Sequence, residues 1–246
     1  LEAVVRAFAQ VFPNGSLYLD GFRLALVSRG PFKAQTLLDG IDRLSPQQQS
    51  LLTGNEGGWT WLGRYWSGVS GLPPGPIQDE WWPQVEFTLP RAKYNGHLNL
   101  PEVIAWLLAR RTSPERARAL FAIPSQDTEV FERAYLTTEV AARSWHAGLT
   151  GREDESIRLL RTAFDGNPLD RWVAYQLADQ MWQSLPAATA QGIRPEVALD
   201  KILRIAPDHL PALRARWAKA RAEGQSQLQQ QLGERIAQLD PFGPQR

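Results

Sequence analysis

From residue 100 to residue 239, apolar side chains recur at helical spacing in eight successive segments: 100–110, 114–122, 129–149, 153–164, 169–185, 195–205, 210–222 and 226–239. Such a pattern puts one apolar stripe on each segment, so this half of the chain is read as helices packed on helices. It is also rich in Ala, Leu, Arg and Gln, which are strong helix formers. The first hundred residues are built differently. They hold 12 of the 19 glycines and five of the ten tryptophans. The break falls in the polar stretch Pro90-Arg-Ala-Lys-Tyr-Asn-Gly-His97. Two regions follow: a mixed α and β piece over 1–95 and a helical region over 96–246.

Within the first region the spacing of Leu1, Val4, Val5, Phe8, Val11 and Phe12 predicts a helix that ends at Pro13-Asn14-Gly15. Ser16–Leu19 and Phe22–Ser28 flank Asp20-Gly21, a strong hairpin signal because a type I′ turn needs positive φ at both central positions. Residues 37–52 read as helical, with Ser45-Pro46 capping the second part. Gly54–Gly75 reads as loop-rich and carries Trp59, Trp61, Tyr65 and Trp66. That aromatic group fits either a partner-binding patch or a satellite core under a long loop. Val85–Leu89 reads as a last strand. Arg110 and Arg111 fall at a helix end, where cations complement the dipole.

Composition removes several classes of function. A hydrophobic fraction of 43% with 22% charged residues is that of a globular chain. The absence of cysteine excludes disulfides, thiol nucleophiles and thiolate zinc sites. A net charge of +1 supplies no bulk attraction for nucleic acid or an anionic membrane. His97, His146 and His209 lie far apart and lack metal-ligand spacing, so no metal is expected. No serine sits in a nucleophile motif, so no catalytic residue is assigned. No apolar run is long enough to cross a bilayer, and Glu2 and Arg6 interrupt any signal peptide. The chain opens on Leu1 inside a helical pattern, which implies a piece of a longer protein.

Glycines and prolines mark a repeat. Gly151 precedes Pro168 by 17 residues and Gly224 precedes Pro241 by 17, while Pro207 precedes Pro241 by 34. Pro168 and Pro207 are 39 apart, the five extra residues falling in Ser184–Gly192, where they lengthen one inter-helix turn. This resembles tetratricopeptide repeats, clearest over 126–241. Ser156 and Pro195 depart from the Ala usual at their positions. The resemblance implies stacked hairpins that expose a groove to a protein partner. Trp172, Tyr175, Asp179 and Trp182 follow one face of a helix and are the partner-binding candidates. The same stripe also suits packing against the adjacent hairpin.

The first region also resembles a known fold. Val11-Phe-Pro-Asn-Gly-Ser-Leu-Tyr18, Leu24-Ala-Leu-Val-Ser28, Gly75–Pro83 and Glu86-Phe-Thr-Leu-Pro90 look like the C-terminal end of spermidine synthases, polyamine aminopropyltransferases with a Rossmann-like, methyltransferase-type sheet. The large bacterial members joined to a membrane transporter-like segment are the most similar, which implies a parent protein anchored to a membrane. Over the whole chain the expected fold is therefore α+β, the end of such a sheet followed by an all-α helical-repeat region. In that family the Gly-rich cofactor turn and the catalytic aspartate would lie upstream of Leu1, so this chain is expected to hold no cofactor. Asp79 and Glu80, with Trp81 and Trp82, suit a wall for an amine group, or else a solvated pair beside tryptophans that anchor the last strand. The resemblance implies a non-catalytic scaffold or partner-docking portion, whose apolar edge at 1–12 would be covered in a complex. The alternative is one part of an aminopropyl- or methyltransferase.

Overall fold

The computed structural model describes residues 1–21, 23–53, 57–77 and 99–241. The strand expected over 85–89 and the boundary expected at 95/96 lie outside the described residues. What is described is mostly helical with one small antiparallel sheet, an α+β fold. The chain forms two compact units, Leu1–Asp170 and Arg171–Arg246.

The first unit begins with α1 (Glu2–Val11), β1 (Ser16–Asp20) and β2 (Arg23–Val27). The hairpin pairs Tyr18 with Ala25 and closes at Asp20 opposite Arg23, one residue later than the Asp-Gly turn placed it. Opposite charges at that last pair favour the register. Next come α2 (Ala34–Asp42) and α3 (Pro46–Thr53). Between them Ser45 and Gln48 form a reciprocal capping box: the Ser45 hydroxyl accepts from the Gln48 N–H, and the Gln48 side chain accepts from the Ser45 N–H.

Residues 57–68, expected as loop, instead form α4 (Gly57–Gly63) and β3 (Tyr65–Gly68). The physical reason is tertiary. β3 pairs with β1, giving a sheet of order β2-β1-β3, and its Tyr65 and Trp66 are fully buried. Tyr65 and Trp66 are thus core, while Trp59 packs half-buried against it and Trp61 is half-buried.

The helical part of this unit runs through α5 (Leu100–Ala109), α6 (Pro114–Leu120), α7 (Thr128–Leu149) and α8 (Glu153–Gly166). Asn99 and Ser113 cap α5 and α6 by accepting the N–H of Glu102 and Arg116. Gly63 lets α4 lie against α7, because a Cβ there would meet the Ala134 carbonyl oxygen at 2.6 Å. Tyr65, Phe121, Phe131 and Tyr135 build the shared core in edge-on and tilted contacts. The α7–α8 hairpin turns at Gly151 (φ +77°) and crosses on small residues. There Ser144 donates to the Ser156 carbonyl at 2.8 Å, and the two hydroxyls meet at 3.1 Å. Ser156 therefore buries its hydroxyl with its bonding satisfied.

Two arginines, Arg64 buried and Arg111 half-buried, join the sheet to these helices. Arg64, 2% exposed, meets the Asp20 carboxylate at 2.8 Å and Asp170 at 3.4 Å, and its guanidinium lies 4.9 Å from the Trp61 ring. Arg111, just past the end of α5, does more than complement a helix dipole. It sits between the rings of Trp66 and Tyr135, at 4.1 and 3.8 Å, and donates to the carbonyls of Gly63 and Tyr135. Burial lowers its pKa to about 10, against the pull of Tyr135 and Glu139, which favour the cation. Trp66 in turn donates to the Leu107 carbonyl at 2.6 Å.

The second unit consists of α9 (Arg171–Gln183), α10 (Leu185–Ala190), α11 (Pro195–Ile205), α12 (Leu210–Ala222) and α13 (Ser226–Leu239). The Ser184–Gly192 stretch adds the short helix α10 where a longer turn was expected. Pro186 suits its first turn, and Leu185 packs on a core of Ala178, Leu199, Ile202, Ala206 and Ala212. Among the described residues no helix is long and apolar enough to cross a membrane.

Removing one partner of a buried ion pair strands the other charges, at a cost of ~3–5 kcal/mol. Arg64→Ala takes the guanidinium from Asp20 and Asp170 together, so chemical denaturation of the variant is expected to show a loss of that order. Wild-type stability would remove Arg64 as the link between sheet and helices.

Candidate functional site

Helix α9 carries the sequence-predicted stripe. Its inner face buries Val173, Ala174, Leu177 and Ala178. Tyr175, Asp179 and Trp182 occupy a neighbouring face at spacings of four and three, so they stand one above another. Tyr175 is 40% exposed, while Asp179 and Trp182 are half-buried.

These three meet a residue that the sequence pattern did not single out as a partner. His209, fully buried, sits at the start of α12 with its ring 5.3 Å from that of Tyr175 and 6.1 Å from that of Trp182. Its Nδ1 accepts the backbone N–H of Ala212 at 3.3 Å, capping α12. An acceptor nitrogen carries no proton, so the ring proton is on Nε2, which lies 3.0 Å from Asp179 Oδ1 and donates to it. The imidazole is therefore neutral, and it holds the carboxylate in place without cancelling its charge. Burial, helped by the nearby Asp179 charge, raises the Tyr175 pKa and keeps the phenol protonated. With both ring nitrogens engaged, His209 has no lone pair to offer as a base or a metal ligand.

Trp172 lies one turn before Tyr175 on α9 and is half-buried. The stripe expected from the sequence is thus one physical cluster in its last three members, centred on His209. The only local signal for His209 was its place before Leu210-Pro211, the opening of a helix. Nothing near it in the chain points to Asp179, thirty residues away. The amine-pocket candidates Asp79, Glu80 and Trp82, with Trp81, lie outside the described residues. No family model, curated protein or solved structure matches the chain.

If His209 caps α12 and seats both rings, His209→Ala should lose at least ~2 kcal/mol, part from the cap and part from the cavity. His209→Asn, which restores a capping acceptor, should recover ~1 kcal/mol of that loss. Thermal unfolding of the two variants measures both. Equal melting of Ala and Asn variants would show that the cap contributes nothing.

Proposed function

We propose that this chain is a partner-docking module that works through the Tyr175–Asp179–Trp182 face of α9. In this reading it is the non-catalytic C-terminal portion of a spermidine-synthase-like protein, and its later helices are tetratricopeptide-like hairpins. The observation that carries docking is a preformed cluster of two aromatic rings and a carboxylate, partly open to solvent and fixed from beneath by a buried histidine. Aromatic side chains held rigid at a surface give large contact area at low entropic cost, which is why they dominate binding hot spots. Three things speak for the repeat-like reading. Both Gly151 and Gly224 turn the chain with positive φ, helices pack as antiparallel neighbours on either side, and the α7–α8 crossing is built on small residues. The helix–turn–hairpin order over residues 2–27 is what the resemblance to spermidine synthases leads one to expect of that segment.

The test is a pull-down with the full chain and with Tyr175→Ala/Trp182→Ala, whose helicity is checked by circular dichroism. The wild type is expected to retain a partner that the folded double variant loses. Equal retention by both would sink the assignment to α9.

A further inference from the structure

Taking α9 as the docking face, we infer that the group it takes is a basic side chain of a peptide partner, arginine before lysine. Most carboxylates of this unit already pair with a cation, and Glu234 accepts from Gln230. Glu196 pairs with Lys219, Asp200 with Arg216 at 3.2 Å, Asp208 with Arg235, and Asp240 with Arg214. The Arg214, Arg216 and Lys219 cations of α12 are engaged in those pairs. Asp179 stands apart. Among the described residues its partner is His209, and the Ala212 N–H pointing at Nδ1 keeps that ring neutral. Among the described residues the cluster therefore carries a net negative charge with no cation paired to Asp179.

Its remaining geometry suits one class of ligand. The Asp179 side chain is 46% exposed, and Oδ1 is committed to His209. Oδ2 belongs to the same anchored carboxylate and carries the rest of its acceptor capacity. The rings of Tyr175 and Trp182 stand one turn to either side along α9, Tyr175 exposed and Trp182 half-buried, and an aromatic π-system attracts cations to its face. A guanidinium can accept this arrangement as a whole: its N–H groups donate to the carboxylate while its plane stacks on an aromatic ring. An ammonium satisfies the charge without the stacking. A carboxylate or phosphate would meet Asp179 with the same sign, and a purely apolar group would leave that carboxylate desolvated and unpaired.

The experiment selects a random peptide library on the full chain, with Tyr175→Ala/Trp182→Ala as the control for the face. Selected peptides are expected to be enriched in arginine, and to a lesser degree in lysine. Replacing the key arginine by neutral citrulline should weaken binding to the wild type by about tenfold, the loss of one charge-assisted contact. Asp179→Asn keeps an oxygen to accept from His209, and should bind the arginine peptide as weakly as the wild type binds the citrulline one. Peptides that need the two rings but carry no basic residue, or that do not distinguish arginine from citrulline, would overturn the cationic ligand and leave docking standing. Selection of no peptide that depends on the rings would overturn docking itself, and the ligand class with it.

Discussion

The first unit is organised around the desolvation of Arg64. A guanidinium this buried is tolerable only where carboxylates and an aromatic ring replace water, and here they come from separate stretches of chain: Asp20 at the end of β1, Trp61 in α4 and Asp170 beyond α8. Bringing them together forces the sheet against the helical hairpin. Arg111 repeats the device one layer away, stacked between Trp66 and Tyr135 and bonded to the two carbonyls that α4 and α7 present. Its Nε and Nη1 are shut off from solvent with no partner among the described residues, and its lowered pKa reflects that environment.

In the second unit the same logic produces a different outcome. His209 is as buried as Arg64, but its charge state is set by a backbone N–H and not by counter-ions. A neutral ring can lie in an apolar core at low cost and still orient a carboxylate at the surface. The result is an acid that is positioned but unanswered, between two aromatic side chains. The ring caps α12 and fills the core, while Tyr175 and Asp179 reach solvent and Trp182 lies half-buried against the core beside them. Glu196, Asp200, Asp208 and Asp240 are held by arginine or lysine, whereas Asp179 is held by a neutral ring.

Much of this was legible in the sequence, for identifiable reasons. Long amphipathic segments announce themselves, so α7, α8 and α11 to α13 lie within a few residues of the expected spans. The spacing of Tyr175, Asp179 and Trp182 put them on one face before any contact was known. Residues 57–68 were not legible, because a short Gly-rich aromatic run becomes helix and strand only through pairing with β1 and packing on α7. The roles of Arg64 and Arg111 were hidden for a related reason: an isolated arginine reads as surface until distant carboxylates and rings surround it. His209 escaped notice because its partner lies across the unit and only its capping position is local.

The most direct measurement is the tautomeric state of His209 by nitrogen-detected NMR of the imidazole at neutral pH. A ring protonated on Nε2 alone is predicted, with Asp179→Asn leaving that tautomer in place because its amide oxygen still accepts. A ring carrying protons on both nitrogens would pair with Asp179, cancel its charge and contradict the unanswered carboxylate on which the proposed docking at α9 rests.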